Sequence, residues 1–193
     1  MNSTFTSLPD ELRAAEDLDL ALGQGRHFAV RRYHVDFSAS PVRPGTGLDA
    51  RYAAKPLVLL EKQAWFPEIA LLAIFARRGW QGVWSDAAHR KYFDKMPTQS
   101  KGVSLTTHIN QLLARIAENN GMTRSGCWDL ILWENRTVAF VAVKSAARGV
   151  ELRDAQVGWL KAALKAGLSI AQFLVVEWDY RKVLVKRKRP AST

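Results

Sequence analysis

The last third of the chain alternates apolar stretches with turn residues most clearly. Apolar runs predict strands at about residues 127–133, 137–144 and 173–178, with a tight turn over residues 134–136. A helix is predicted over about residues 153–166, before the final strand. The two hairpin strands are apolar on both faces, so each face of their sheet requires a cover of helices. We therefore predict an α/β fold, in which helices flank a central mixed sheet on both faces.

Two more helices are predicted in the middle of the chain. The first spans about residues 65–78, with Pro67 in its first turn and Gly79 after its end. The second spans about residues 104–120, with Ser104 as its N-cap. Residues 80–93 mix aromatic and charged side chains and favour neither element. The predicted inner stripe of the first helix consists of Ile69, Leu72, Ala73 and Ala76.

The N-terminal region differs in charge from the rest of the chain. Residues 1–25 hold one arginine and five acids, and Leu12, Leu18 and Leu22 recur at near-helical spacing. We predict an acidic N-terminal arm or helix over residues 1–25, a single domain over residues 26–180 and a basic tail over residues 181–193. Residues 28–37 predict a strand, and residues 38–47 a loop rich in proline and glycine.

Composition excludes several classes of protein. The 193 residues carry 28 Lys and Arg against 18 Asp and Glu, a formal net charge of +10, and 48% of them are hydrophobic. No apolar run is long enough to cross a bilayer, and no signal peptide is visible, so we expect a cytoplasmic protein without a membrane partner. Cys127 is the single cysteine, which excludes an intramolecular disulfide and favours a core position for this side chain.

The excess of basic over acidic residues indicates a polyanionic partner, most commonly nucleic acid. Arg90 and Lys91 lie in a stretch of mixed basic and aromatic residues, which predicts either phosphate contacts or an exposed loop. Lys186 and Arg187 belong to a basic C-terminal run, which fits phosphate binding or a charged edge that blocks aggregation.

Two polar residues interrupt the apolar hairpin. If Asn135 and Arg136 form a two-residue turn, Asp129 lies opposite Ala142, and Lys144 lies two residues further along the same strand. Opposite residues share a face of the sheet, so these three residues are predicted to cluster at one end of it. A register slip of one residue would separate them. A structural ion pair and a catalytic pair both fit this arrangement.

The wider motif resembles a nuclease family. The pattern over residues 126–160 consists of Gly126-Cys127-Trp128-Asp129-Leu130, a hairpin, Val141-Ala142-Val143-Lys144, and a helix with Gln156 and Trp159-Leu160. It resembles the PD-(D/E)xK superfamily, and within it the virus-type replication-repair nuclease domain (VRR-NUC). The resemblance covers about residues 68–178 and is specific over residues 126–178. It implies a restriction-endonuclease-like fold, DNA as substrate, and Mg²⁺ or Mn²⁺ as cofactor.

The resemblance also implies roles for individual residues. Asp129 would bridge the metal, and Glu68, on the first predicted helix, would add a ligand or hold a metal-bound water. Lys144 would orient the attacking water, and Gln156 would lie beside the site. Glu68 also suits a helix N-terminus for electrostatic reasons alone, and Gln156 also suits a solvated helix face.

Ala142 departs from the family, which has glutamate at this position. A methyl group cannot bind a cation, so the site lacks one carboxylate and is expected to bind metal poorly. Three explanations stay open: a deliberate replacement of glutamate, a natural pseudonuclease that only binds DNA, or substitution by another acid. The candidate acids are Glu151, Asp154 and Glu134.

Three functions follow from the sequence. The first is a metal-dependent DNA endonuclease of repair or recombination type that is inactivated by Ala142 and, by similarity to junction resolvases, acts on branched DNA as a homodimer. The second is a non-catalytic DNA-binding module. The third is a domain that binds an acidic protein partner.

Overall fold

A computed structural model describes residues 5, 8–22, 27–41, 48–87, 89–97 and 102–181. Within these ranges the chain forms nine strands and three α-helices. In chain order they are β1 (Arg13–Ala21), β2 (His27–Ala39), β3 (Val58–Leu60), β4 (Gln63–Trp65), α1 (Pro67–Ala76), β5 (Gln81–Asp86), β6 (Lys91–Phe93), α2 (Thr107–Asn119), β7 (Leu130–Glu134), β8 (Thr137–Ser145), α3 (Asp154–Lys165) and β9 (Phe173–Tyr180). Among the described residues, no helix combines the length and the apolar character needed to cross a membrane.

The strands form one mixed sheet in the order β4-β3-β2-β9-β8-β7-β5-β6, and β1 also pairs with β2. Strand β9 lies parallel to both β8 and β2, whereas the other pairs are antiparallel. Helix α3 forms the crossover from β8 to β9, because parallel neighbours need a long connection. The antiparallel strands β5, β7 and β8 therefore lead directly into a strand–helix–strand unit.

Helices cover both faces of the sheet. Helix α1 packs on one face, where Ile69 and Phe75 join Leu130 and Val141 in one core cluster. Helices α2 and α3 pack on the other face, in a second cluster that contains Trp159. The predicted α/β class, with a central sheet between helices, is confirmed.

The two predicted middle helices are confirmed, but their bounds, buried faces and N-cap differ from the prediction. Helix α1 begins at Pro67, and Gly79 beyond its end has a φ of 87°. Its burial extends around most of the helix instead of along one stripe, since Ala73 is half-buried and Ala76 is exposed. The N-cap of α2 is Thr106 and not Ser104, because the Thr106 side chain accepts the Ile109 N–H.

The predicted N-terminal helix is wrong, because residues 13–21 form strand β1 along β2. Leu18, Leu20 and Leu22 are half-buried and alternate with exposed neighbours at the period of a strand. Ala15 is also half-buried, and the register shifts between Ala15 and Leu18. Strands β5 and β6 occupy residues 81–86 and 91–93, in the stretch for which the sequence favoured neither element. Strand β2 extends to Ala39, two residues into the predicted loop.

Candidate functional site

The β7–β8 hairpin has the predicted register. Leu130 pairs with Val141 and Glu134 with Thr137, around a turn at Asn135 and Arg136. Strand β7 begins at Leu130, three residues later than predicted. Just before it, the Asp129 carboxylate accepts the Val143 N–H at 2.8 Å. The Asp129 carboxylate therefore binds the main chain of β8 at the point where the pairing of β7 with β8 ends.

Lys144 and Gln156 join the hairpin to α3. The Lys144 Nζ donates to Gln156 Oε1 at 2.7 Å, and the Arg153 N–H donates to the same oxygen at 3.3 Å. The Trp128 indole N–H donates to the main-chain oxygen of Gln156 at 3.1 Å. Gln156 is fully buried. It is therefore not the solvated helix residue that the sequence also allowed, and it positions Lys144 beside the first turn of α3.

Glu68 lies in the first turn of α1 and forms an ion pair that the sequence did not predict. The Lys55 Nζ lies 2.6 Å from Glu68 Oε1, and 4.7 Å from the ring centroid of Trp84. The second carboxylate oxygen, Glu68 Oε2, is buried without a hydrogen-bond partner. Because Lys55 lies outside any recognisable motif, no signal in the sequence points to it.

The charges of these side chains act on one another. Burial raises the pKa of Asp129 to about 6, the Val143 N–H opposes this rise, and the negative charge of Glu68 adds to it. The positive charges of Lys144 and Arg153 lower the pKa of Asp129. Burial likewise lowers the pKa of Lys144, and the Asp129 charge opposes that change. The structure therefore brings Asp129, Glu68 and Lys144 into one electrostatic environment.

The side chains present do not fit a divalent cation. Ala142 is fully buried in the core cluster on the α3 side and offers only a methyl group. Asp129 and Glu68 each have one oxygen engaged, by the Val143 N–H and by Lys55 respectively. Across the described ranges, no group of three or more His, Cys, Asp or Glu side chains could hold a metal ion. Three or more carboxylate ligands are thus not assembled here.

The acids considered as substitutes do not complete the site. Glu134 lies at the turn end of the hairpin, and its Oε1 would be 3.2 Å from a Cβ added at Gly79. Glu151 is exposed before α3, and Asp154 is exposed in the first turn of α3.

A basic cleft of about 750 Å³ lies beside the site. We define the basic cleft by its four cationic lining residues, Arg90, Lys91, Arg124 and Arg153. Ser85 also lines it and donates its N–H to the Asp129 carbonyl at 2.8 Å, which connects the cleft to the candidate site. Two cations of the cleft were predicted as DNA contacts, whereas Arg124 and Arg153 were not. Lys186 and Arg187 lie outside the described residues.

A hydrogen-bonded network supports one wall of the cleft. Asp86 is buried and accepts hydrogen bonds from the Tyr52 hydroxyl and from His89 Nδ1, the latter at 2.6 Å. Burial, and secondarily the Asp86 hydrogen bond, raises the pKa of Tyr52. The network fixes the end of β5 just before Arg90 and Lys91, so these cations project from a supported segment.

Cys127 lies in the core, as the sequence predicted. Its thiol is buried, and burial raises the pKa of Cys127 to about 12. A thiol in this environment is a poor nucleophile.

Comparisons with protein-family models, curated proteins and solved structures found no match for this chain. The resemblance to nucleases therefore rests on the motif and on the arrangement of side chains described above.

Proposed function

We propose that the protein binds DNA, and that its candidate site is a metal-dependent DNA endonuclease site of the PD-(D/E)xK type that Ala142 leaves inactive. The observation that carries this proposal is that the charges of Glu68 and Lys144 act on the Asp129 carboxylate, while Lys144 is hydrogen-bonded to Gln156. The basic cleft reaches the same segment, because Ser85 lines it and donates its N–H to the Asp129 carbonyl. Glu68 lies on α1, Asp129 just before β7, Lys144 on β8 and Gln156 on α3. The VRR-NUC resemblance assigns each of them to the nuclease site.

The basic cleft supports DNA as the partner. The lining of the cleft contains four cations and a single acid, the buried Asp86. Contacts to phosphate supply most of the affinity of non-specific DNA binding and make that affinity fall with salt. The cleft also lies against the Asp129 segment through Ser85, so a phosphate held there would lie near the candidate site.

Position 142 supports the loss of cleavage. If the Leu130–Val141 register continues by one pair, position 142 lies opposite Asp129, and a glutamate there would add the third carboxylate that the family motif contains. Mg²⁺ and Mn²⁺ favour such oxygen ligands. With alanine there, the chain keeps the lysine and two acids but lacks the ligand set, so we propose no cleavage by the chain as it stands.

The second candidate function is a natural DNA-binding module without catalysis. The contacts of the two acids favour it, because Asp129 satisfies a main-chain N–H and Glu68 pairs with Lys55. Replacement of a glutamate at position 142 by alanine would not by itself account for the contact between Lys55 and Glu68.

The test compares the unaltered chain with Ala142→Glu. Binding is measured by fluorescence anisotropy on linear and branched DNA over a salt series, and cleavage is measured with Mg²⁺ or Mn²⁺. Ala147→Glu is the control, since it adds the same charge at an exposed position after β8. Circular dichroism confirms that each variant is folded.

Each outcome separates the functions. Cleavage by Ala142→Glu alone supports the inactivated endonuclease, whereas salt-dependent binding without cleavage by any variant supports the DNA-binding module. The absence of salt-dependent DNA binding would contradict both and favour an acidic protein partner.

Two further properties belong to this proposal. We propose that the protein acts as a homodimer on branched DNA, as junction resolvases do, and that it is cytoplasmic. Analytical ultracentrifugation of the protein alone and with a four-way junction tests the dimer.

A further inference from the structure

The Lys55–Glu68 ion pair is largely shielded from solvent and lies against aromatic rings. The side chains of Lys55 and Glu68 have relative exposures of only 27% and 13%. The Lys55 ammonium lies 4.7 Å from the ring centroid of Trp84 and 5.5 Å from that of Phe66, where the aromatic rings attract a cation. Two rings and one carboxylate therefore hold this ammonium against the acid that the nuclease motif assigns to a metal.

Cationic side chains offset the charge of the two acids at the site without a metal. The two acids are Glu68 and Asp129, and the nearby cations are Lys55, Lys144 and Arg153. With all five groups ionised, the net charge of this set is +1. A nuclease site with several carboxylates and one lysine is instead negative until a divalent ion binds.

From this we infer that the Lys55 ammonium takes the place of a divalent cation at Glu68, so that the site accepts a DNA phosphate without metal. This inference rests on the proposed DNA-binding function. It also predicts that a glutamate restored at position 142 binds a divalent ion more weakly in the presence of Lys55 than in its absence.

The physical reason is repulsion between like charges. A divalent ion bound to Glu68 would lie close to the ammonium that already contacts Glu68 Oε1 at 2.6 Å. Like charges a few ångströms apart in a partly buried site repel strongly. Since Glu68 Oε2 has no hydrogen-bond partner, removing Lys55 would leave both oxygens of this half-buried carboxylate unpaired. Such a carboxylate favours a cation from solution.

The first experiment measures metal binding by thermal unfolding in MnCl₂ and in EDTA. The variants are Lys55→Met, Ala142→Glu and the double variant, and Lys165→Met is the control with the same charge change at an exposed end of α3. We expect the unaltered chain and the control to shift by less than about 1 °C on adding Mn²⁺. At Mn²⁺ about 100-fold above its Kd, the double variant should be stabilised by roughly 5–10 °C.

A Mn²⁺-dependent shift of the unaltered chain, or a double variant that gains no more than Ala142→Glu alone, would overturn the inference. Lys55→Gln replaces Lys55→Met in both single and double variants if the methionine variants do not fold, as judged by circular dichroism.

The second experiment measures DNA affinity in EDTA and in MgCl₂ at constant ionic strength. The unaltered chain should bind equally well in both, whereas Lys55→Met should bind several-fold more weakly in EDTA than Lys165→Met does. A requirement for Mg²⁺ would contradict a metal-free phosphate site. If no variant binds DNA, the proposed function fails, and the Mn²⁺ comparison still decides whether Lys55 excludes the metal.

Discussion

Gly126 brings the Asp129 segment into contact with α3. Its φ is 79°, and a Cβ at this position would lie 1.8 Å from the Ala155 carbonyl oxygen and 2.3 Å from the Ala155 carbonyl carbon. Both are main-chain atoms at the start of α3. Substitution Gly126→Ala should therefore force the two segments apart and weaken the contact between Trp128 and Gln156.

The magnitude follows from two separate costs. A positive φ costs a residue with a Cβ about 1–2 kcal/mol. Real Cβ atoms essentially never approach within 3.0 Å, so the alanine requires a main-chain shift of more than an ångström, for which overpacking costs about 1–3 kcal/mol. The free energy of unfolding should fall by about 2–5 kcal/mol, and Tm by roughly 4–20 °C for a chain of this size.

Gly167→Ala isolates the steric part of this effect. Gly167 has a φ of 92°, and an added Cβ there would meet no atom within 4 Å. Differential scanning calorimetry should show a larger loss of Tm for Gly126→Ala than for Gly167→Ala. Equal losses would refute the argument that close packing of the two segments requires glycine at position 126.

Three further predictions concern the rest of the fold. Thr106→Ala removes the N-cap of α2 and should lower the free energy of unfolding by about 0.5–2 kcal/mol in urea titrations. Because burial raises the pKa of Cys127 from 9.0 to about 12, its thiolate fraction at pH 8 is lower by roughly a thousandfold, and Ellman's reagent should react only after unfolding. Hydrogen bonds from His34 and Arg13 lower the pKa of Asp36 below 3.8. The contribution of Asp36 to stability is therefore present above pH 3.8 and is lost on further acidification. The Tm difference between the unaltered chain and Asp36→Asn should shrink below pH 3.8.

Each of these has a direct check. Thr107→Ala, on the exposed first residue of α2, is the control for the cap and should have a smaller effect. A rapid reaction of Cys127 in the folded protein would contradict its burial. A Tm difference for Asp36→Asn that grows below pH 3.8 would contradict the lowered pKa.

The hairpin and the strand–helix–strand unit were predictable because their signals are local. Strands apolar on both faces require burial whatever surrounds them, and the two-residue turn at Asn135 fixes the register. Strand β1 was mistaken for a helix because Leu12, Leu18 and Leu22 fit a helical spacing when Leu20 is left out. The acidic residues at its exposed positions also made the alternation of apolar and polar residues hard to recognise, because that alternation acquires meaning only from the pairing with β2.

The candidate site was predictable only in part. Asp129, Lys144 and Gln156 lie within one short segment, so their spacing carried the prediction. Lys55 approaches Glu68 through the packing of α1 against the sheet, and no pattern near either residue records that contact. Arg153 was likewise missed, since its role depends on the position of the first turn of α3 relative to the cleft.

The pairing of β2 with β9 limits how the protein can be shortened. Strand β9 is apolar over Phe173, Leu174, Val175 and Val176, and β2 satisfies one of its edges along seven residues. Deleting the chain before β3 would turn this interior strand into an open, water-facing template for strands of other molecules. A fragment confined to the nuclease-like motif should therefore self-associate into insoluble material, and the N-terminal strands must be kept when the protein is prepared for experiments.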